Sequence, residues 1–163
     1  MSLGALFSPA RLLAAGVVVP LGAVALALVT QHVFGMQPCP WCVLQRLIFL
    51  AIAATAWSGL ALGAALPRRA MALLMLLLAA GGVAAALWQH FVAAASASCN
   101  LTLADRVMSG LGLDNLAPAV FAPYASCADA AATLLGLPYE FYSLTLFVML
   151  AAVAARVLYR PLS

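Results

Sequence analysis

The chain has 163 residues, 67% of them hydrophobic and only 7% charged, with a net charge of +3. A water-soluble domain of this size cannot bury so much apolar surface, so the composition excludes one and requires a bilayer. The basic residues are all arginines, set singly or in one pair between apolar stretches, which excludes a nucleic-acid footprint.

The first apolar stretch, 12–35, carries no charge between Arg11 and Arg46. It is too long for the apolar run of a cleavable signal, about 7–15 residues, and reads as a membrane span with a kink at Pro20. A short outer loop, 36–42, holds Pro38-Cys39-Pro40-Trp41-Cys42 and separates it from the second span, 43–66, which ends at Pro67-Arg68-Arg69. The third span covers 70–94. Its Gly81-Gly82 pair and many alanines let helices approach closely. A long loop, 95–140, is the most polar part of the chain, with Asp105, Asp114, Asp129 and Glu140. Within it Leu103, Val107, Met108 and Leu111 recur at helical spacing, which predicts a short amphipathic helix on the membrane surface. The fourth span covers 141–159. Each span has about the 17–25 residues that a hydrocarbon core demands. Trp41, Trp88, Phe91, Phe141 and Tyr142 collect near one interface as an aromatic belt. The fold class is therefore an all-α membrane protein, a four-helix bundle forming one domain over 1–163.

The arginines orient the bundle. Arg11, Arg68, Arg69, Arg156 and Arg160 fall on one side of a four-span chain, which places both termini in the cytoplasm. All four cysteines then lie outside: Cys39 and Cys42 in the short loop, Cys99 and Cys127 in the long one. An oxidising compartment suits disulfides there, and four cysteines allow three pairings.

A Cys39–Cys42 bridge closes almost no chain, so it makes a poor staple and a better redox switch. Cys42 falls near a helix N-terminus, where unpaired N–H groups favour a thiolate. Arg46 follows one turn later on the same face. At about 6 Å and an effective dielectric near 20, its attraction for a thiolate is worth roughly 2–3 kcal/mol. Such a thiolate beside an apolar pocket can donate electron density to an electrophilic ring. Arg46 has a plainer reading as an interfacial side chain snorkelling from a helix end. Cys99 and Cys127 bracket a loop of nearly thirty residues, either as a structural bridge or as a second redox pair reached by a soluble partner. A four-cysteine zinc site is disfavoured because the second pair is widely spaced, so no metal is expected. Haem attachment is excluded because Val43, not His, follows Cys42. His90, at the outer end of the third span, is an interfacial polar residue or a donor to a ligand carbonyl near Arg46. Gln31 and His32 are weaker candidates at the same depth.

Gln31-His32-Val33, then Pro38-Cys39-x-x-Cys42-x-x-x-Arg46, resembles the DsbB family of bacterial inner-membrane disulfide-forming proteins. So does the later order of His90, Cys99, Val120-Phe121 ahead of Cys127, and Leu135-Gly136-Leu137-Pro138 before the last span. The resemblance covers essentially the whole chain. Gln45 stands where some members have Glu, and Tyr142 where many have Trp. The resemblance implies a quinone-dependent thiol oxidase that reoxidises a periplasmic thioredoxin-fold protein, DsbA, and passes electrons to ubiquinone or menaquinone. It implies Cys42 beside the quinone with Cys39 as its partner. It also implies Cys99 attacked by reduced DsbA, Cys127 released to pair transiently with Cys39, and Arg46 holding the quinone and the thiolate. Two rivals use the same residues: a membrane thiol-disulfide reductase, and a structural four-span protein braced by disulfides.

Overall fold

A computed structural model describes residues 8–95 and 102–159 of the chain. Among these, four helices are long and apolar enough to cross a membrane. Helix α1 is Pro9–His32, α2 is Pro40–Leu62, and α3 is Ala65–Trp88, continued by a π-helical turn, Gln89–Ala93. Three short helices follow, α4 (Leu103–Gly110), α5 (Leu113–Leu116) and α6 (Pro118–Phe121). A small hairpin, β1 (Thr133–Leu134) with β2 (Leu137–Pro138), then leads directly into α7, Tyr139–Leu158.

The four long helices match the expected spans with shifted ends. The largest shift at a start is at α3, which begins at Ala65 rather than 70 and so takes in Pro67-Arg68-Arg69; α2 begins at Pro40 rather than 43. Proline reads as a breaker, but at the first helical position its missing N–H costs nothing and its fixed φ is already helical. Ser8 caps α1 in the same manner, accepting from the Arg11 N–H, with Pro9 next in line. The start of α7 also falls earlier than expected. Glu140, assigned above to the polar loop, is the second residue of that helix.

Each span packs on the next, and α7 closes onto both α3 and α1. The core between them is Leu13, Phe49, Ile52, Met75, Phe147 and Leu150. Phe49 and Phe147 stack with ring centroids 4.1 Å apart. Gly82 makes this possible. A Cβ there would lie inside the Phe147 ring, so the α3–α7 approach requires no side chain at that point, whereas Gly81 faces open space. The surface left over is apolar: Val18, Leu26, Trp57, Leu66, Leu77 and Val148 are exposed, as a lipid-facing surface requires. Half of the apolar window of α2 is buried, against 22% for α1 and α7, so α2 is the inner helix of the bundle.

The predicted amphipathic helix is α4, held by a capping box between Thr102 and Asp105. Its Met108 packs inward with Val43 and Phe121, while Leu103 and Leu111 are exposed. Trp41 does not join an interfacial belt. It is buried beside Cys39 and Cys127, with its ring 6.3 Å from that of Trp88. The hairpin turns through Leu135 and Gly136, both with positive φ, the conformation that two-residue hairpin turns favour.

Candidate active site

Cysteine chemistry and helix geometry meet at the start of α2. Cys39 is its N-cap, and the Cys39 sulfur accepts the Cys42 backbone N–H at 3.2 Å. Cys39 is fully buried. The loop carrying Cys127 is pinned against it, because the N–H groups of Tyr124 and Ala125 both donate to the Pro38 carbonyl, at 2.9 and 3.3 Å. Ser126 and Asp129 close a turn around Cys127 through a 2.6 Å hydrogen bond. Cys39 and Cys127 therefore share one small cluster with Trp41 and Ala104.

The three sulfurs are electrically unequal. Hydrogen bonds to the Cys127 and Cys42 sulfurs, aided by burial, push the Cys39 thiol well above the ordinary thiol range. Cys127 is shifted down, chiefly because Cys39 hydrogen-bonds to it, with a further donor in the Trp41 backbone. Within the pair, these interactions favour the proton on Cys39 and the negative charge on Cys127. Cys39, Cys42 and Cys127 are all free thiols. Cys99 lies outside the described residues, as does Arg160.

On its other side Cys42 faces a cavity of about 200 Å³. The walls come from Ala23 to Thr30 of α1, from Cys42, Gln45, Arg46 and Phe49 of α2, and from Gln89, Leu134 and the first residues of α7. An apolar cavity of about 150 Å³ accommodates benzene, so this one has room for a single substituted ring. Arg46 is buried on its wall and fully engaged. Nη1 donates to Gln31 Oε1 at 2.6 Å and to the Val120 carbonyl at 2.9 Å, and Nη2 donates to the Ala27 carbonyl at 3.4 Å. Gln31 and His32 both reach the Ala119 carbonyl, at 3.4 and 3.1 Å, and so lock α1 to α6.

A second polar chain reaches the same sulfur. Gln45 Nε2 donates to Gln89 Oε1 at 2.7 Å, and Gln89 Nε2 donates to Cys42 Sγ at 3.4 Å. Both glutamines are buried. Gln89 opens the π-helical turn, a rare geometry found most often at functional sites. The cavity wall also contains Glu140, which is 7% exposed and bonded to His90 Nδ1 at 2.7 Å. His90 itself is not on the wall. It touches the cavity only through Glu140 and packs against Phe91 and Phe141.

The profile of one family, described as Disulfide bond formation protein DsbB, matches residues 9–157. The chain belongs to the DsbB family. Disulfide bond formation protein B of Pseudomonas syringae pv. tomato is 33% identical over 129 residues, covering 77% of this chain and 75% of that one. Disulfide bond formation protein B 1 of Pseudomonas putida is 32% identical, covering 82% and 80%. Disulfide bond formation protein B of Aromatoleum aromaticum is 31% identical, covering 85% and 86%. Family membership and four spanning helices make this a multi-pass membrane oxidoreductase of disulfide formation.

In this DsbB-family chain the expected residues Cys39, Cys42, Cys127 and Arg46 converge, with His90 one residue removed. Gln89 and Glu140 carry no recognisable motif. Their one signal in the sequence is polarity at the edge of an apolar span, and Gln45 stood out only as a departure from the family pattern. Among the described residues, no three His, Cys, Asp or Glu side chains group as metal ligands.

Proposed function

We propose that this DsbB-family protein generates disulfides by moving two electrons from a soluble, periplasmic DsbA-like dithiol protein to a membrane quinone, ubiquinone or menaquinone. The carrying observation is the sulfur line Cys127–Cys39–Cys42, which runs from a loop outside the spans to a ring-sized apolar cavity. The positive-inside distribution of Arg11, Arg68, Arg69 and Arg156 supports cytoplasmic termini and periplasmic cysteines.

Each protein group has a task. Cys99 takes the attack of the reduced partner and releases Cys127. The Cys127 thiolate, next to Cys39, attacks the Cys39 sulfur of a Cys39–Cys42 disulfide, and Cys42 leaves as a thiolate. The partner's second thiolate then displaces Cys99 from the mixed disulfide, and Cys99 attacks Cys127, restoring their bridge and releasing Cys39, which takes up a proton. Cys39 is thus the shared sulfur, consistent with its contacts to both others. Cys42 then lies at the cavity, where the helix N-terminus, the Gln89 amide and Arg46 stabilise its negative charge. A quinone bound there supplies a two-electron, two-proton acceptor. The cavity's size, its apolar walls and the single cation at Arg46 fit that ring. Phe49 and Val24 exclude water from it.

The test mixes purified protein with ubiquinone and a reduced DsbA-like dithiol protein, and follows quinone loss against thiol loss. The expected result is one quinone reduced per disulfide made, abolished in Cys42→Ser. In Arg46→Ala the quinone KM should rise. An active preparation that oxidises no thiol with quinone would return the protein to the reductase or structural reading.

A further inference from the structure

We propose that Glu140 and His90 form the proton inlet of the cavity: Glu140 hands a proton to the reduced ring, and His90 resupplies Glu140 from the membrane surface. The inference rests on the quinone reading above.

The chemistry leaves a proton deficit. Oxidising one thiol and one thiolate releases two electrons and one proton, while a quinone takes up two electrons and two protons. The balance is Cys39–SH + Cys42–S⁻ + quinone + H⁺ giving the Cys39–Cys42 disulfide and quinol. One proton per turnover must therefore enter a pocket whose walls are mostly apolar.

The wall offers few donors. Arg46 faces the cavity from α2 but is a permanent cation with its guanidinium already shared among three acceptors. Tyr142 spends its hydroxyl proton on the Leu134 carbonyl at 2.7 Å, and the Tyr139 hydroxyl pairs with Thr30 at 3.3 Å. Helix α1 contributes no ionisable side chain to the lining, and Cys42 is the electron donor itself. Glu140 remains, the one acid on the wall among the described residues.

Its placement is expensive unless used. An ionisable group inside a span is rare and marks proton or ion paths more often than structure. Glu140 is almost fully buried, yet it is joined at 2.7 Å to a histidine whose side chain is 31% exposed. His90 lies three residues from the end of the third span, Ala93, roughly 5 Å along the helix axis. The bond spans two helices and connects the cavity wall to the surface through two side chains that each exchange a proton. One hydrogen lies between the imidazole nitrogen and the carboxyl oxygen, the two ends of the path.

The competing account is an ion pair that merely pins α3 to α7. Glu140→Gln and His90→Ala separate the two. In Glu140→Gln, kcat for quinone reduction should fall about tenfold or more while the quinone KM stays within about twofold, and the loss should deepen as pH rises. His90→Ala should show a smaller loss that imidazole restores, which a pinning contact does not allow. Infrared difference spectra on reduction should carry a protonated-carboxyl band in the wild type that Glu140→Gln lacks. Wild-type kcat in Glu140→Gln across the pH range, or a His90→Ala defect that imidazole leaves untouched, would overturn the inlet and leave the oxidase standing. No quinone reduction by the wild type would overturn the oxidase reading and the inlet together.

Discussion

Cys42 gathers its stabilisation from side chains that differ in kind. Arg46 brings charge, but its hydrogen bonds go to Gln31 and to two carbonyls, so its direct partner is the scaffold. Gln89 gives no charge but points an N–H at the sulfur, and Gln45 fixes that amide by donating to its oxygen. A hydrogen bond to a charged acceptor is worth about 1.5–3 kcal/mol. Gln89→Leu should therefore slow alkylation of Cys42 about tenfold at neutral pH in quinone-free protein. Gln45→Leu should slow it less, because the Gln89 amide survives but loses its orientation. Alkylation at the wild-type rate in Gln89→Leu would mean that the amide does not act on the thiolate. Arg46→Ala should lower the thermal midpoint as well as raise the quinone KM, because Gln31 is left buried without its 2.6 Å partner.

At the level of elements, the cavity depends on how closely α3 and α7 approach. Phe147 fills the space beside Gly82 and stacks on Phe49, which lines the cavity. Gly82→Val would push that ring into its neighbour, and overpacking of this kind costs about 1–3 kcal/mol. Gly81→Val, one residue away and facing open space, should leave the thermal midpoint nearly unchanged. Equal effects in the two variants would mean that helix propensity, not packing, governs the site. Four spans were readable from hydropathy because a bilayer demands length and apolarity alone. Which glycine mattered was not, since both have the same composition signal. The start of α2 was misread for a local reason: a proline can break a helix or begin one, and only the extended Cys39 cap before Pro40 decides. The π-helical turn at Gln89 has no periodic signature. Gln89 itself continues the buried stripe of α3, seven residues after Gly82 and three after Ala86, and its polarity there is what hydropathy alone does not interpret. Glu140 was read as loop charge because an acid beside the loop looks solvated until the hairpin shows where α7 begins.

For the whole molecule, the direction of flow depends on an asymmetry among sulfurs that are far apart in sequence. Spacing alone made Cys39 and Cys42 a pair. Cys127 reaches them because the Pro38 carbonyl collects two N–H groups from the Tyr124 turn. The exchange order needs Cys127 as the attacking thiolate and Cys39 as the sulfur that accepts attack, and the electrostatics run that way. Cys127 is shifted down by its bond from Cys39, and Cys39 is shifted up by the same bond and by burial. A lowered pKa means that Cys127 becomes thiolate as pH rises before an ordinary thiol does, while Cys39 stays protonated through the physiological range. In the reduced protein, the pH profile of iodoacetamide labelling read by peptide mass spectrometry should therefore have its midpoint for Cys127 at lower pH than that of an ordinary thiol, about 8.5. Cys39 should remain nearly unlabelled at the same pH. Cys39→Ala removes the principal donor, so the Cys127 profile should move back up towards the ordinary thiol. If that profile does not move, the asymmetry comes from the Trp41 backbone instead. Cys39 would then not set the order of exchange.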